Sequence, residues 1–182
     1  EDDPEDLYAY NNMGFAYEQS WDLEKACEYY LKSMELVKNK ETGLPFINAG
    51  DSYMALGNYE KAMEYYQKRL DMFPNSSEYV LRKMAECAHR LGHFEESIKY
   101  YDSFSDFVED EDDIEDDTLN KGDVYLDMGK EEEALSYYQK YASKSLLKKK
   151  NKVTIKGLRR MANYYGYHKN DWNKARTFAK KA

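Results

Sequence analysis

Proline is scarce, with three residues in 182, at positions 4, 45 and 74. Proline removes a backbone donor and clashes with the preceding helical turn, so a chain with so few leaves long stretches free to be helical. There are two cysteines, Cys27 and Cys87. Two cysteines make neither a disulfide framework nor a thiolate metal site. Both lie among apolar neighbours in expected helices and read as small buried hydrophobes in a reducing cytoplasm. No apolar run approaches the roughly 18 residues that a bilayer crossing needs. No charged-then-apolar leader opens the chain, which begins at Glu1, as a piece of a longer protein would.

Recognisable catalytic patterns are also missing. Phosphate-binding glycine loops, the dinucleotide fingerprint and the nucleophile elbow are absent. His89 and His93 are four apart, but Gly92 places His93 at or beyond a helix end, and no third ligand is near. Nothing gathers a nucleophile, a base and an oxyanion donor. The expectation is no catalytic site, no metal, no cofactor and no small-molecule substrate.

Charge is abundant, at 34% of residues, and unevenly placed. Residues 1–139 carry 13 Lys+Arg against 34 Asp+Glu, whereas residues 140–182 carry 14 Lys+Arg against the single acid Asp171. Such polarity bears on association and solubility rather than on fold.

One stretch, "LGNYEKAMEYYQKRL" at 56–70, has relatives along the chain: "SWDLEKACEYYLKSMEL" at 20–36, "LGHFEESIKYYDSF" at 91–104, "MGKEEEALSYYQKY" at 128–141 and, more weakly, "KNDWNKARTFAKKA" at 169–182. A helical segment precedes each. In it a small residue recurs as Gly14, Gly50, Ala85, Gly122 and Ala162, at spacings of 36, 35, 37 and 40. Three residues later stands Tyr17, Tyr53, Ala88, Tyr125 or Tyr165. Twelve after the small residue comes Ala26, Ala62, Ser97 or Ala134, and sixteen after it Tyr30, Tyr66, Tyr101 or Tyr138. In the fifth copy Ala175 is one residue late, which reads as a longer turn between the helices. Gly57, Gly92 and Gly129 mark the other turns. Small residues let two helix backbones approach, and large aromatics fill the space beside them. Each unit is then an antiparallel helix pair that buries its apolar face only against the next pair.

These spacings resemble the tetratricopeptide repeat (TPR) family over nearly the whole chain. The second copy fits best, with Gly50, Tyr53, Ala62, Tyr66 and Pro74 in register. The resemblance implies an all-α, right-handed superhelical solenoid of antiparallel helix pairs. It implies one array over 1–182, with approximate repeats at 7–40, 43–76, 78–108, 116–143 and 151–182. The acidic run "DFVEDEDDIEDD" at 106–117 reads as a solvated linker whose acids also start the next helix. It has no glycine for the sharp turn of a calcium loop. "SKSLLKKKNK" at 143–152 reads as a second linker, and residues 1–6 as a lead-in that caps the first helix.

The family resemblance also implies a function: a non-catalytic scaffold that binds an extended peptide or protein segment in a groove lined by the first helices. Residues two before the small residue would face it, here Asn12, Asn48, Lys83, Asn120 and Arg160, with Arg82 and Arg159 beside them. An Asn amide offers a donor and an acceptor and can bridge a peptide unit whatever its side chain. This resembles the asparagine ladders by which members of the family hold a peptide backbone. The pattern of TPR co-chaperones that clamp a C-terminal carboxylate is not met, because Asn11, Phe15 and Tyr79 occupy three of its positions. Tyr8, Asn11, Phe15, Leu44, Ile47 and Met54 make the first two units mixed apolar and polar. Arg82, Lys83 and Arg90 make the third basic, Asp116, Asp123 and Asp127 the fourth acidic, and Lys156, Arg159 and Arg160 the fifth basic. Nucleic acid is disfavoured, because the acidic remainder would repel phosphates. Two alternatives remain: a peptide-sensing domain of a regulator, and a self-assembling structural array that stacks end to end through its uncapped last unit. The acidic and basic ends of the chain also allow salt-sensitive self-association.

Overall fold

The computed structural model of the chain describes residues 6–37, 42–74, 78–105, 111–144 and 152–182. These residues form ten α-helices and one π-turn, and no strand occurs among them. The chain divides into two compact units, Glu1–Phe104 and Ser105–Ala182.

The first unit holds α1 (Leu7–Gln19), α2 (Leu23–Glu35), α3 (Leu44–Ala55), α4 (Tyr59–Met72), α5 (Glu78–Arg90) and α6 (Phe94–Ser105). The helices pair off as α1 with α2, α3 with α4 and α5 with α6, and every pair is joined by three residues. The middle residue of each turn has positive φ: Trp21 (60°), Gly57 (76°) and Gly92 (77°). The chain then folds back, and the third turn residue donates to the carbonyl five residues earlier, Asp22 to Tyr17 at 3.0 Å, Asn58 to Tyr53 at 2.9 Å and His93 to Ala88 at 2.9 Å. That residue also starts the next helix. Asp22 and Asn58 accept from the backbone N–H groups of Lys25 and Lys61, satisfying donors that a helix start leaves open. Asp6 does the same for α1. The rest of the acidic lead-in, residues 1–5, lies outside the described residues.

The packing follows the expected small-and-large pairing. A Cβ on Gly50 would sit 2.4 Å from the Tyr66 ring, and Gly14 stands in the same relation to Tyr30. Tyr30 and Tyr66 are completely buried. Ala26, Tyr30 and Ala49 make one part of the core, and Ala62, Tyr66, Val80, Met84 and Cys87 another. Beside each core ring lies a second, half-covered pair, Tyr17 on Tyr29 (5.2 Å) and Tyr53 on Tyr65 (5.4 Å). Lysines cover these stacks, Lys25 and Lys32 in one pair, Lys61 and Lys68 in the next.

The second unit holds α7 (Glu111–Asp127), α8 (Glu131–Lys144), α9 (Lys152–Asn163), a π-turn over Tyr164–His168 and α10 (Trp172–Lys181). α7 begins inside the acidic run, so residues from 111 onward are helical rather than linker; residues 106–110 lie outside the described part. Most of the basic linker, residues 145–151, also lies outside it. The core is Leu119, Ala134, Tyr138, Tyr141 and Met161.

The last helix pair corrects one expectation. Its turn, Lys169–Asp171, has three residues like the others, with Asn170 at φ 51° in the middle. The extra residue sits in the π-turn, and Asp171 accordingly reaches back six residues to the Tyr165 carbonyl at 2.7 Å. A π-turn is the helical form that takes up one inserted residue. Beyond it the pattern resumes one position late, with Tyr165 stacked on Phe178 at 5.5 Å and Lys174 and Lys181 over the two rings.

Candidate functional site

Side chains at four positions of the first helices share one face: six, three and two before the small residue, and one after it. Their spacing, i, i+3, i+4 and i+7, is that of a single helical stripe. On α1 these are Tyr8, Asn11, Asn12 and Phe15, and on α3 Leu44, Ile47, Asn48 and Asp51. Hydrogen bonds between successive first helices fix the register. Asn48 Nδ2 donates to Asn11 Oδ1 at 2.9 Å. The Tyr79 hydroxyl of α5 donates to Asp51 Oδ2 at 2.8 Å. Asp51 Oδ1 also accepts from Tyr66 at 2.6 Å, which ties the second helix of the pair to the same carboxylate.

The second unit repeats the device with a different donor. Asp123, one after Gly122, accepts from Tyr138 at 2.7 Å. It also accepts from Arg160 Nε at 2.8 Å and Nη2 at 2.7 Å. Arg160 Nη2 reaches Asn120 Oδ1 at 2.8 Å as well. Burial first, then the neighbouring carboxylate, pushes the phenols of Tyr66, Tyr79 and Tyr138 well above their ordinary range. They therefore remain protonated donors at physiological pH.

The residues expected at the site separate into groups. Asn120 and Arg160 are brought together: Asn120 accepts from Arg160 and donates to Asp117 Oδ1 at 3.4 Å, while Arg160 also binds Asp123. Asn48 meets Asn11, not Asn12, and Asn12 is exposed. Lys83 pairs with Glu86 at 3.2 Å. Arg82 lies over the Phe104 ring at 4.5 Å, and Arg159 is exposed. Asp51 was not among the expected residues, although "GD" recurs at 50–51 and 122–123 and both aspartates bind a second-helix tyrosine. Among the described residues no group of three or more His, Cys, Asp and Glu could hold a metal ion. Burial, the largest cause in each case, raises the thiols of Cys27 and Cys87 to about 11 and about 12. Neither is a poised nucleophile. No described helix is long and apolar enough to cross a membrane.

Two family models described as tetratricopeptide repeat match residues 5–75 and 119–143. The chain belongs to the tetratricopeptide repeat family. Solved structures place it in the same TPR fold. MamA is 18% identical, with 92% of this chain and 91% of that chain covered and a TM-score of 0.68. MamA from Desulfovibrio magneticus RS-1 is 16% identical, with 96% and 92% covered and a TM-score of 0.72. YrrB, described as a TPR protein with an unusual peptide-binding site, is 18% identical, with 97% and 84% covered and a TM-score of 0.65. At these identities the likeness speaks for the TPR fold alone. No curated protein sequence matches the chain.

Proposed function

We propose that the chain is a non-catalytic interaction module that holds an extended peptide or protein segment against the face of its first helices. The observation that carries this reading is the Asn48–Asn11 bond. It sets two amides side by side on adjacent first helices, between exposed Tyr8, Phe15 and Leu44. A face held in register by its own hydrogen bonds is pre-organised, which lowers the ordering cost of binding. The peptide-binding site named for YrrB, a protein of the same fold, supports the reading by analogy.

Titration calorimetry of the chain with a panel of extended peptides tests it. At least one peptide class is expected to bind, and Asn48→Ala to weaken that binding. Equal, negligible heats for every peptide would sink the proposal.

The charge division, with acids before residue 140 and bases after it, favours a second reading in which copies associate end to end. That reading expects a light-scattering mass that falls as salt rises. A mass independent of both salt and protein concentration argues against it.

A further inference from the structure

The face formed by α1 and α3 is short of charge in a chain that is otherwise rich in it, unlike that of α5, which carries Arg82, Lys83 and Glu86. α1 has one charged residue in thirteen, Glu18, and α3 one in twelve, Asp51. Their partner helices differ: α2 has five in thirteen and α4 six in fourteen. Both isolated carboxylates already accept from tyrosine hydroxyls, Glu18 from Tyr30 at 2.6 Å and Asp51 from Tyr66 and Tyr79. Meanwhile Tyr8 is 52% exposed, Phe15 53% and Leu44 51%. A merely solvated helix face carries Lys and Glu. Depletion of charge together with exposed aromatic rings is the composition of an interface centre.

The polar groups on this face also suit one kind of occupant. The Asn48–Asn11 bond uses one N–H of Asn48 and the oxygen of Asn11. It leaves the N–H groups of Asn11 and the oxygen of Asn48 for a ligand. One donor and one acceptor are what a main-chain peptide unit requires. On α1 and α3 themselves the two carboxylates, Glu18 and Asp51, are already engaged by tyrosine hydroxyls, so these helices offer a cationic side chain no unengaged carboxylate and an anionic one no cation. The second unit contrasts with this, because Arg160 fills the equivalent polar positions, Asn120 and Asp123, from within the chain.

Resting on the peptide-binding reading above, we infer that the segment held by α1 and α3 bears bulky uncharged side chains. These seat on Tyr8, Phe15 and Leu44, while one of its peptide units bonds between Asn11 and Asn48. Recognition is thus apolar in its side chains and sequence-tolerant in its backbone.

The test uses the full chain and three short synthetic peptides, acetylated and amidated, with the same Gly/Ser spacers. They carry Leu and Phe, Glu, or Lys at alternate positions. The Leu/Phe peptide is expected to bind about tenfold more tightly than either charged one. Raising salt from about 50 mM to about 500 mM should change its affinity less than about twofold, since no ion pair is made. Phe15→Ser is expected to lower its affinity about tenfold with an unchanged circular dichroism spectrum. Phe15 is half exposed, so its loss leaves no core cavity. Tighter binding of the Glu or Lys peptide overturns the inference but leaves the peptide-binding reading standing. So does full affinity of Phe15→Ser for the Leu/Phe peptide. Failure of all three peptides to bind overturns both.

Discussion

Replacing Gly50 by alanine tests the packing rule on which the whole fold rests. Two effects oppose each other. An alanine in mid-helix is favoured over glycine by about 1 kcal/mol. Against that, the new Cβ would lie 2.4 Å from Cε1 and 2.7 Å from Cδ1 of Tyr66. The ring has nowhere to retreat, because it is wholly buried and its hydroxyl is held by Asp51 at 2.6 Å. Overpacking of a dense core costs about 1–3 kcal/mol. Displacing a hydrogen bond to a carboxylate costs a further 1.5–3 kcal/mol or so. The clash therefore wins, and Gly50→Ala is expected to destabilise by about 2–4 kcal/mol after the propensity gain is subtracted. Urea unfolding followed by circular dichroism measures this as a lower midpoint at unchanged slope. The double variant Gly50→Ala, Tyr66→Leu isolates the cause. With the ring gone, the alanine should cost nothing further, and the two changes should be strongly non-additive. A Gly50→Ala protein with a raised midpoint would refute the reasoning, and with it the role assigned to Gly14 and Gly122.

Trp21 holds φ 60° while 79% exposed, so Trp21→Gly relieves about 1–2 kcal/mol of left-handed strain against about 0.5–1 of added chain entropy. It should raise the urea midpoint slightly, and a lowered one counts against the strain argument. Arg160→Ala leaves Asp123 and Asn120 without their shared guanidinium and should cost about 1–3 kcal/mol in the same assay. Arg160→Lys should not restore it, because an ammonium cannot reproduce the forked contact; an Arg160→Lys variant as stable as the parent would contradict this. Ser52 Oγ is buried with no hydrogen-bond partner, so Ser52→Ala is expected to be neutral or to stabilise by up to about 1 kcal/mol, and a clear loss would show that the hydroxyl is satisfied after all. The raised thiols of Cys27 and Cys87 predict slow labelling by a thiol reagent at neutral pH and fast labelling in urea; rapid labelling of the native protein would refute their burial.

The helix pairs were legible in the sequence because their identities are imposed by contact. Only a residue without a side chain fits against the Tyr66 ring at Gly50, and only a backbone tolerant of positive φ suits Gly57. Such constraints recur at fixed intervals and leave a readable period. The face of the first helices was legible only in outline. Asn48 and Asn120 stand where their spacing put them, but their partners, Asn11 and Arg160, lie 37 and 40 residues away. Which of two adjacent asparagines is met depends on the rotation of one first helix against the next, and no spacing within a repeat encodes that. The shared role of Asp51 and Asp123 was hidden for a related reason. A carboxylate on a polar stripe looks like any solvated acid until the hydroxyls from other helices are seen to converge on it. Trp21 hid in the opposite way, because it fills a turn position where three other copies have glycine and the last has asparagine.

The π-turn at Tyr164–His168 shows how tolerant this architecture is to a change in length. One residue added to a helix advances the angular phase of everything after it by about 100°, enough to turn a buried stripe toward water. Here the added residue is absorbed as a local widening of the turn at the helix end, and the downstream stack of Tyr165 on Phe178 keeps its near-parallel 3° geometry. The repeat therefore behaves as a phase-locked unit whose clock can be reset at the joint between helices. A single residue added at that joint thus leaves the stacking of the helix pair intact, which the same addition in mid-helix, by rotating the buried stripe, would not.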